Sequence, residues 1–413
     1  MGMSVSRRGV LVAGAGVAAG FALPRAARAG RASVRFRLEA RTLDGGEQVV
    51  AVTLATAKLG RIDPATLTSG TFAVHATATS PLAADDVVLG TYDMDRVVTA
   101  ARLDRHGDVV LELSHAEGQA GGATLGWAAL RGRNVRLVLE YTITQLAPLR
   151  LRGGRTVTVD DFVQGDLVDP EVDAFGYHTS RGGLKYRLYE PARSARPRPL
   201  VVWLHGGGEG ASLPEYYDNE TQLRANRGAL GFVTAEGQRA FGGAYVVAPQ
   251  STSFWLEDGD RFAPQIRAVI DEVVRRHRVD ASRIHVVGCS NGGYMSLKMT
   301  TVYPELFASS VPICGVVQAF QPGGPRMITD AELAAIGTPT WLVASRDDDT
   351  VAPEPNTVHA HDLIPGSRLS LYDRVEWGGY RFPGHWSWIY VGRNDPRVGG
   401  ERIWQWMARQ RSE

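Results

Sequence analysis

Ser290 stands in Gly288-Cys289-Ser290-Asn291-Gly292-Gly293, between the apolar run 284–287 and the helix-like stretch 294–299. A Gly-x-Ser-x-Gly turn between a strand and a helix holds its serine at the tip of a tight bend, with small neighbours two positions away on either side. A serine hydroxyl is a weak nucleophile unless a base takes its proton and an acid orients that base. Candidate acids are Asp347, Asp348 and Asp349, just beyond the apolar run 340–344. Three histidines follow the serine: His359, His361 and His385. His385 lies in the loop Phe382-Pro383-Gly384-His385-Trp386-Ser387-Trp388, after the apolar run 369–373. His359-x-His361 offers two imidazoles without a third ligand, too few for a metal site. Upstream, His205-Gly206-Gly207-Gly208-Glu209-Gly210 follows another apolar run. Glycines there let backbone N–H groups point inward at a developing oxyanion, and the amides of Gly207 or Gly208 with that of Asn291 are the expected donors. No Gly-Lys-Ser/Thr follows this loop, which makes it a poor candidate for a phosphate cradle. The set has the parts for nucleophilic attack on a carbonyl and calls for no metal or organic cofactor.

Those residues sit at the ends of apolar runs, and the runs alternate with helical spacing. Residues 199–204 and 244–249 are continuous apolar stretches of the kind buried on both faces of a mixed sheet. Between 262 and 279, Ile266, Val269, Ile270 and Val273 fall on one helical face. Residues 184–189 read as a first strand, and 284–287 and 340–344 as later ones. Chemistry at the carboxyl ends of strands that alternate with helices is the pattern of an α/β domain. The preceding region differs. Segments 34–39, 49–54, 71–76, 97–103, 109–113 and 135–143 alternate apolar and polar residues, with Gly, Asp and Pro in the turns. That predicts a β-sandwich of immunoglobulin type, in architecture only, since the region has no cysteine and only Trp127. The expected division is a leader at 1–29, a sandwich at 30–160, a linker at 161–177 and the α/β domain at 178–413.

The leader rests on Ser6-Arg7-Arg8-Gly9-Val10-Leu11, a twin-arginine signature, then an apolar segment at 10–23 and Ala27-Arg28-Ala29 as cleavage site. This predicts export, with no membrane association after cleavage. Cleavage removes four arginines and no acid, leaving 41 basic against 44 acidic residues. Neither this balance nor the full chain's net charge of +1 favours nucleic acid as a partner. Cys289 and Cys314 are the only cysteines, and whether they pair is open at this stage.

The motifs HGGGEG, GCSNGG, DDTV and GHWSW together resemble those of secreted carboxylesterases with an N-terminal Ig-like domain. More broadly they are similar to the polyhydroxybutyrate-depolymerase and feruloyl-esterase branch of the α/β hydrolases, with prolyl-oligopeptidase-type peptidases further off. The resemblance spans 34–413, although its motifs lie in the second domain. It implies an α/β-hydrolase fold, a small-molecule or polymeric ester as substrate, and a β-domain packed beside the catalytic one. It also selects Asp348 over Asp347, because Asp348-x-x-Val351 matches a D-x-x-V spacing found after that strand in relatives. Phe254, Trp255, Tyr294, Trp386 and Trp388 are candidates for an aromatic pocket or for the core, with Trp255, Tyr294 and Trp386 taken as the pocket residues. The alternatives are a serine peptidase, and a polymer- or cell-wall-binding protein with a vestigial hydrolase domain.

Overall fold

The structure, a computed structural model, describes residues 33–213, 215–319 and 324–412; the expected leader lies outside them. Ser33–Leu43 shows how the first domain forms: Val34, Phe36, Leu38 and Ala40 point inward and their neighbours outward, period two. A five-stranded sheet runs in the order Asp161–Val168, Ser33–Leu43, Gly46–Leu54, Val109–Leu113, Val98–Leu103. Facing it is a three-stranded sheet, Val138–Gln145, Phe72–Thr79, Tyr92–Arg96. Their inner faces share one core that includes Phe36, Val52, Phe72, Leu111 and Tyr141, so this half is a β-sandwich.

Two expectations change here. Residues 161–177 are not a linker: Asp161–Val168 is a strand parallel to Ser33–Leu43, Pro170–Asp173 is a short helix capped by Asp169, and Phe175–Thr179 begins the next sheet. Asp161–Val168 is an edge strand none of whose residues is fully buried, which accommodates its two aspartates and its glutamine. Likewise 135–143 is not one strand. Arg133–Arg136 pairs with Leu125–Ala128 as a hairpin, while Val138–Gln145 belongs to the three-stranded sheet. Leu137 separates them.

The second domain carries an eight-stranded sheet ordered Phe175–Thr179, Lys185–Tyr189, Tyr245–Pro249, Arg198–Leu204, Val279–Cys289, Ser309–Ile313, Trp341–Ser345, Arg368–Tyr372. The first two strand pairs are antiparallel and the rest parallel. Along Arg198–Leu204 the side chains alternate between two cores. Leu200, Val202 and Leu204 meet Phe262, Ile266 and Ile270 of the helix Gly259–Arg276, whereas Val201 and Trp203 meet Leu230, Phe232 and Trp404. Both faces are covered, so residues 199–204 and 245–249 are apolar throughout. This three-layer mixed sheet is the α/β-hydrolase fold.

The domains are tied by buried polar contacts. Arg224 pairs with Glu47, whose other oxygen accepts from Thr124 Oγ1 at 2.6 Å. Arg393 donates to Asp44 at 2.8 and 3.0 Å, and Arg227 Nη1 donates to Thr42 O at 2.7 Å.

Candidate active site

Val279–Cys289 ends at Ser290, where the backbone turns sharply (φ 55°, ψ −114°) into the helix Asn291–Val302. Such a conformation costs a non-glycine residue on the order of 1–3 kcal/mol. It is held by Ser290 N–H donating to Ile313 O at 2.8 Å. The glycines follow from close approach: a Cβ on Gly292 would collide with Leu204 O, and one on Gly288 with Gly292 O.

The candidate acid comes from the loop after Trp341–Ser345. Asp348 Oδ2 accepts from His385 Nδ1 at 2.8 Å, while Oδ1 accepts from the amides of Thr350 (3.0 Å) and Val351 (2.8 Å). The D-x-x-V spacing thus has a physical role: Val351 N–H aims the carboxylate. Asp347 turns instead to Ser345 Oγ and Arg381, and Asp349 is exposed. His385 sits in the turn Gly384–Trp386, its carbonyl accepting from Cys314 Sγ at 3.2 Å. Burial works against its imidazolium, yet Cys314 and Asp348 hold its pKa above the ordinary 6.5. Cys314, Asp348 and His385 also form the one group among the described residues with metal-ligand proximity, their ligating atoms within 4.8 Å. Because Asp348 and His385 already bond each other, that group reads as support for a base. Both thiols are free and buried, so no disulfide joins Cys289 to Cys314.

The glycine loop is braced from several sides. His205 Nδ1 donates to Gly206 O at 2.6 Å and its Nε2 accepts from Ser251 N–H at 3.0 Å, fixing one neutral tautomer. Burial pushes the His205 pKa down to about 3. Gly207 lies beside Asn291 and the Phe254 ring. Ser290, His385, Asn291, Gly207 and Gly208 all border one cavity of about 490 Å³. A larger groove, about 850 Å³, lies where the domains meet beside Arg37, Asp169 and Arg227, and its lining holds no serine, cysteine or histidine.

Of the candidate pocket aromatics, Phe254, Trp386 and Trp388 border the cavity, whereas Trp255 and Tyr294 do not. Trp255 is fully buried, packed on Phe262, and its Nε1 donates to His205 O at 3.1 Å. Tyr294 is buried in the same core. The walls that sequence reasoning missed come from the β-sandwich domain: Gly45, Trp127 and Asn134. Gly45 sits against the Trp386 ring, Trp127 and Asn134 against Gly208, and the Arg133 guanidinium stacks on Phe254 at 3.3 Å. Only the fold brings these residues to the serine; Glu209, within the glycine motif, was visible but unassigned.

Residues 216–321 match the prolyl oligopeptidase family, a stretch that takes in Ser290 and stops short of Asp348 and His385. The chain is similar to poly(3-hydroxyalkanoate) depolymerase C of Paucimonas lemoignei, 32% identical over 35% of this chain and 34% of that protein. It is 30% identical to feruloyl esterase B of Neurospora crassa over 33% of this chain and 45% of the relative. The chain therefore spans less than half the length of these curated relatives. A solved thermostable esterase superimposes with a TM-score of 0.72 at 24% identity, covering 91% of this chain and 99% of the other. That likeness extends over both domains and shows a shared fold.

Proposed function

We propose that this chain is an exported serine hydrolase that cleaves carboxylic esters through an acyl-enzyme. The observation that carries the reading is the cavity bordered by Ser290, His385 and the glycine loop, with Asp348 bonded to the far side of His385. Ser290 Oγ attacks the ester carbonyl while His385 Nε2 takes its proton. Asp348 holds the proton on Nδ1 and stabilises the imidazolium that forms. The amides of Asn291 and of Gly207 or Gly208 receive the oxyanion. His385 returns the proton to the departing alcohol, and water then releases the acid by the same steps reversed. Similarity to a polyester depolymerase and a feruloyl esterase supports an ester as the scissile bond. No helix of the described residues is long and apolar enough to cross a membrane. Export rests on the twin-arginine leader; the mature protein should begin at Gly30, which N-terminal sequencing of the secreted form checks.

The family match over 216–321 favours one second reading, a serine peptidase. Assaying p-nitrophenyl acetate beside an aminoacyl p-nitroanilide separates them. Turnover of the ester alone supports the esterase; comparable or faster turnover of the anilide overturns it.

A further inference from the structure

Glu209 is a buried carboxylate in the middle of the glycine loop, 7% exposed; burial pushes its pKa up to about 7, and the Arg133 guanidinium, though it forms no ion pair with it, is near enough to favour the charged form. A carboxylate out of water is costly to ionise, so such groups persist where hydrogen bonds and a task hold them. Its hydrogen-bond partner is a neutral donor: Oε1 accepts from Asn134 Nδ2 of the β-sandwich domain at 3.0 Å, and the nearby amides of Gly206 and of Glu209 itself favour the charged form. Oε2 lies so close to Gly206 that a Cβ there would sit 3.1 Å away. Its own carbonyl accepts from Gln250 Nε2 at 2.9 Å. The carboxylate is thus folded back under the amides next to those expected to bind the oxyanion. Its other end reaches a hairpin 75 residues earlier in the chain. That hairpin, Leu125–Ala128 with Arg133–Arg136, also lays Trp127 and Asn134 against Gly208.

We propose that Glu209 is a positioning residue for the oxyanion loop, and that Asn134 makes its hold depend on the β-sandwich domain. The inference rests on the acyl-transfer reading above. Glu209 touches no reacting atom; it fixes the path of Gly206–Gly208, and a loop free to shift would misplace donors whose benefit comes from preorganisation.

The test uses the full chain with Glu209→Ala, Glu209→Gln, Asn134→Ala and the Asn134→Ala/Glu209→Ala double variant, with p-nitrophenyl acetate as substrate. Its acyl group is short, so effects arise at the loop. Glu209→Ala should lower kcat about 100-fold, the lower bound for losing one oxyanion donor, with KM within about twofold. Glu209→Gln, which keeps an acceptor of the same shape, should recover about tenfold of that. Asn134→Ala should cost about fivefold, and the double variant should be no slower than Glu209→Ala, because residues acting through one contact are not additive. A kcat for Glu209→Ala within twofold of the parent, with only the melting temperature lowered, would overturn the proposal. So would multiplied losses in the double variant, or a Glu209→Gln variant as slow as Glu209→Ala. Reaction of the parent with an organophosphonate separates the two levels. A parent that is not labelled at Ser290 overturns the acyl-transfer reading and the inference with it. A parent that labels there, paired with parent-like Glu209 variants, overturns the inference alone.

Discussion

Replacing Asp348 by asparagine preserves the side chain's size and removes its charge. The Oδ1 of the new carboxamide would still accept from the amides of Thr350 and Val351, now at 3.0 and 2.8 Å, so the loop stays in place. Its Nδ2 would replace the oxygen that lies 2.8 Å from His385 Nδ1. Two donors cannot face each other there, so the imidazole proton moves to Nε2, the nitrogen that must accept from Ser290. The base is then present in the wrong tautomer. Loss of kcat by about 10⁴ is expected, as for this change in other Ser-His-Asp triads. That is about 5 kcal/mol of transition-state stabilisation. Initial rates on p-nitrophenyl acetate give kcat, and thermal unfolding should show a midpoint within about 2 °C of the parent because two of the three hydrogen bonds survive. Asp347→Asn is the control: its carboxylate engages Ser345 and Arg381, away from the base. A kcat for Asp348→Asn within tenfold of the parent, or a larger loss from Asp347→Asn, would refute the assignment of the acid.

Other expectations follow from the same geometry. His385 must be neutral to accept a proton, and Asp348 and Cys314 raise its pKa, so kcat/KM should climb with pH through a value above 6.5; Asp348→Asn should move that limb to lower pH, and a limb at or below 6.5 in the parent contradicts the raised base. Trp127→Ala opens the cavity wall, so kcat/KM should fall about tenfold more for aromatic or long-chain esters than for acetate; equal losses across the series would remove Trp127 from the substrate's path. Glu47→Ala leaves Arg224 buried with one partner fewer at the domain junction, and denaturant unfolding should lose about 3 kcal/mol, a loss below about 1 kcal/mol speaking against a coupled junction.

The α/β layers were legible because several strands buried on both faces, residues 199–204 and 244–249 among them, are continuous apolar runs, and because residues 266–273 keep a helical spacing against them. Ser309–Ile313, fully buried but opening on two serines, gave no such signal. Ser290 and His385 stood out through order along the chain and local motif, since turn geometry dictates small residues around a strained serine. Asp348 was separated from Asp347 by its resemblance to the relatives' spacing, and the amides that orient it emerge only in the fold. The pocket walls were only partly legible. Trp255 and Trp386 are equally aromatic in sequence, yet one braces the His205 carbonyl inside the core and the other faces the cavity. Trp127 and Asn134 lie in the first domain, and nothing local marks them as neighbours of Gly208. Asp161–Val168 was read as a linker because an edge strand with no fully buried residue carries the acids and polar residues of a loop.

The central claim is that Ser290 is the nucleophile. Incubating the exported, folded protein with a fluorophosphonate and mapping the adduct by peptide mass spectrometry tests it directly. The account predicts one label per chain, on the peptide carrying Ser290, in step with loss of ester hydrolysis, and no label on a folded Ser290→Ala variant. A stoichiometric adduct on another residue, or undiminished hydrolysis by Ser290→Ala, would contradict it.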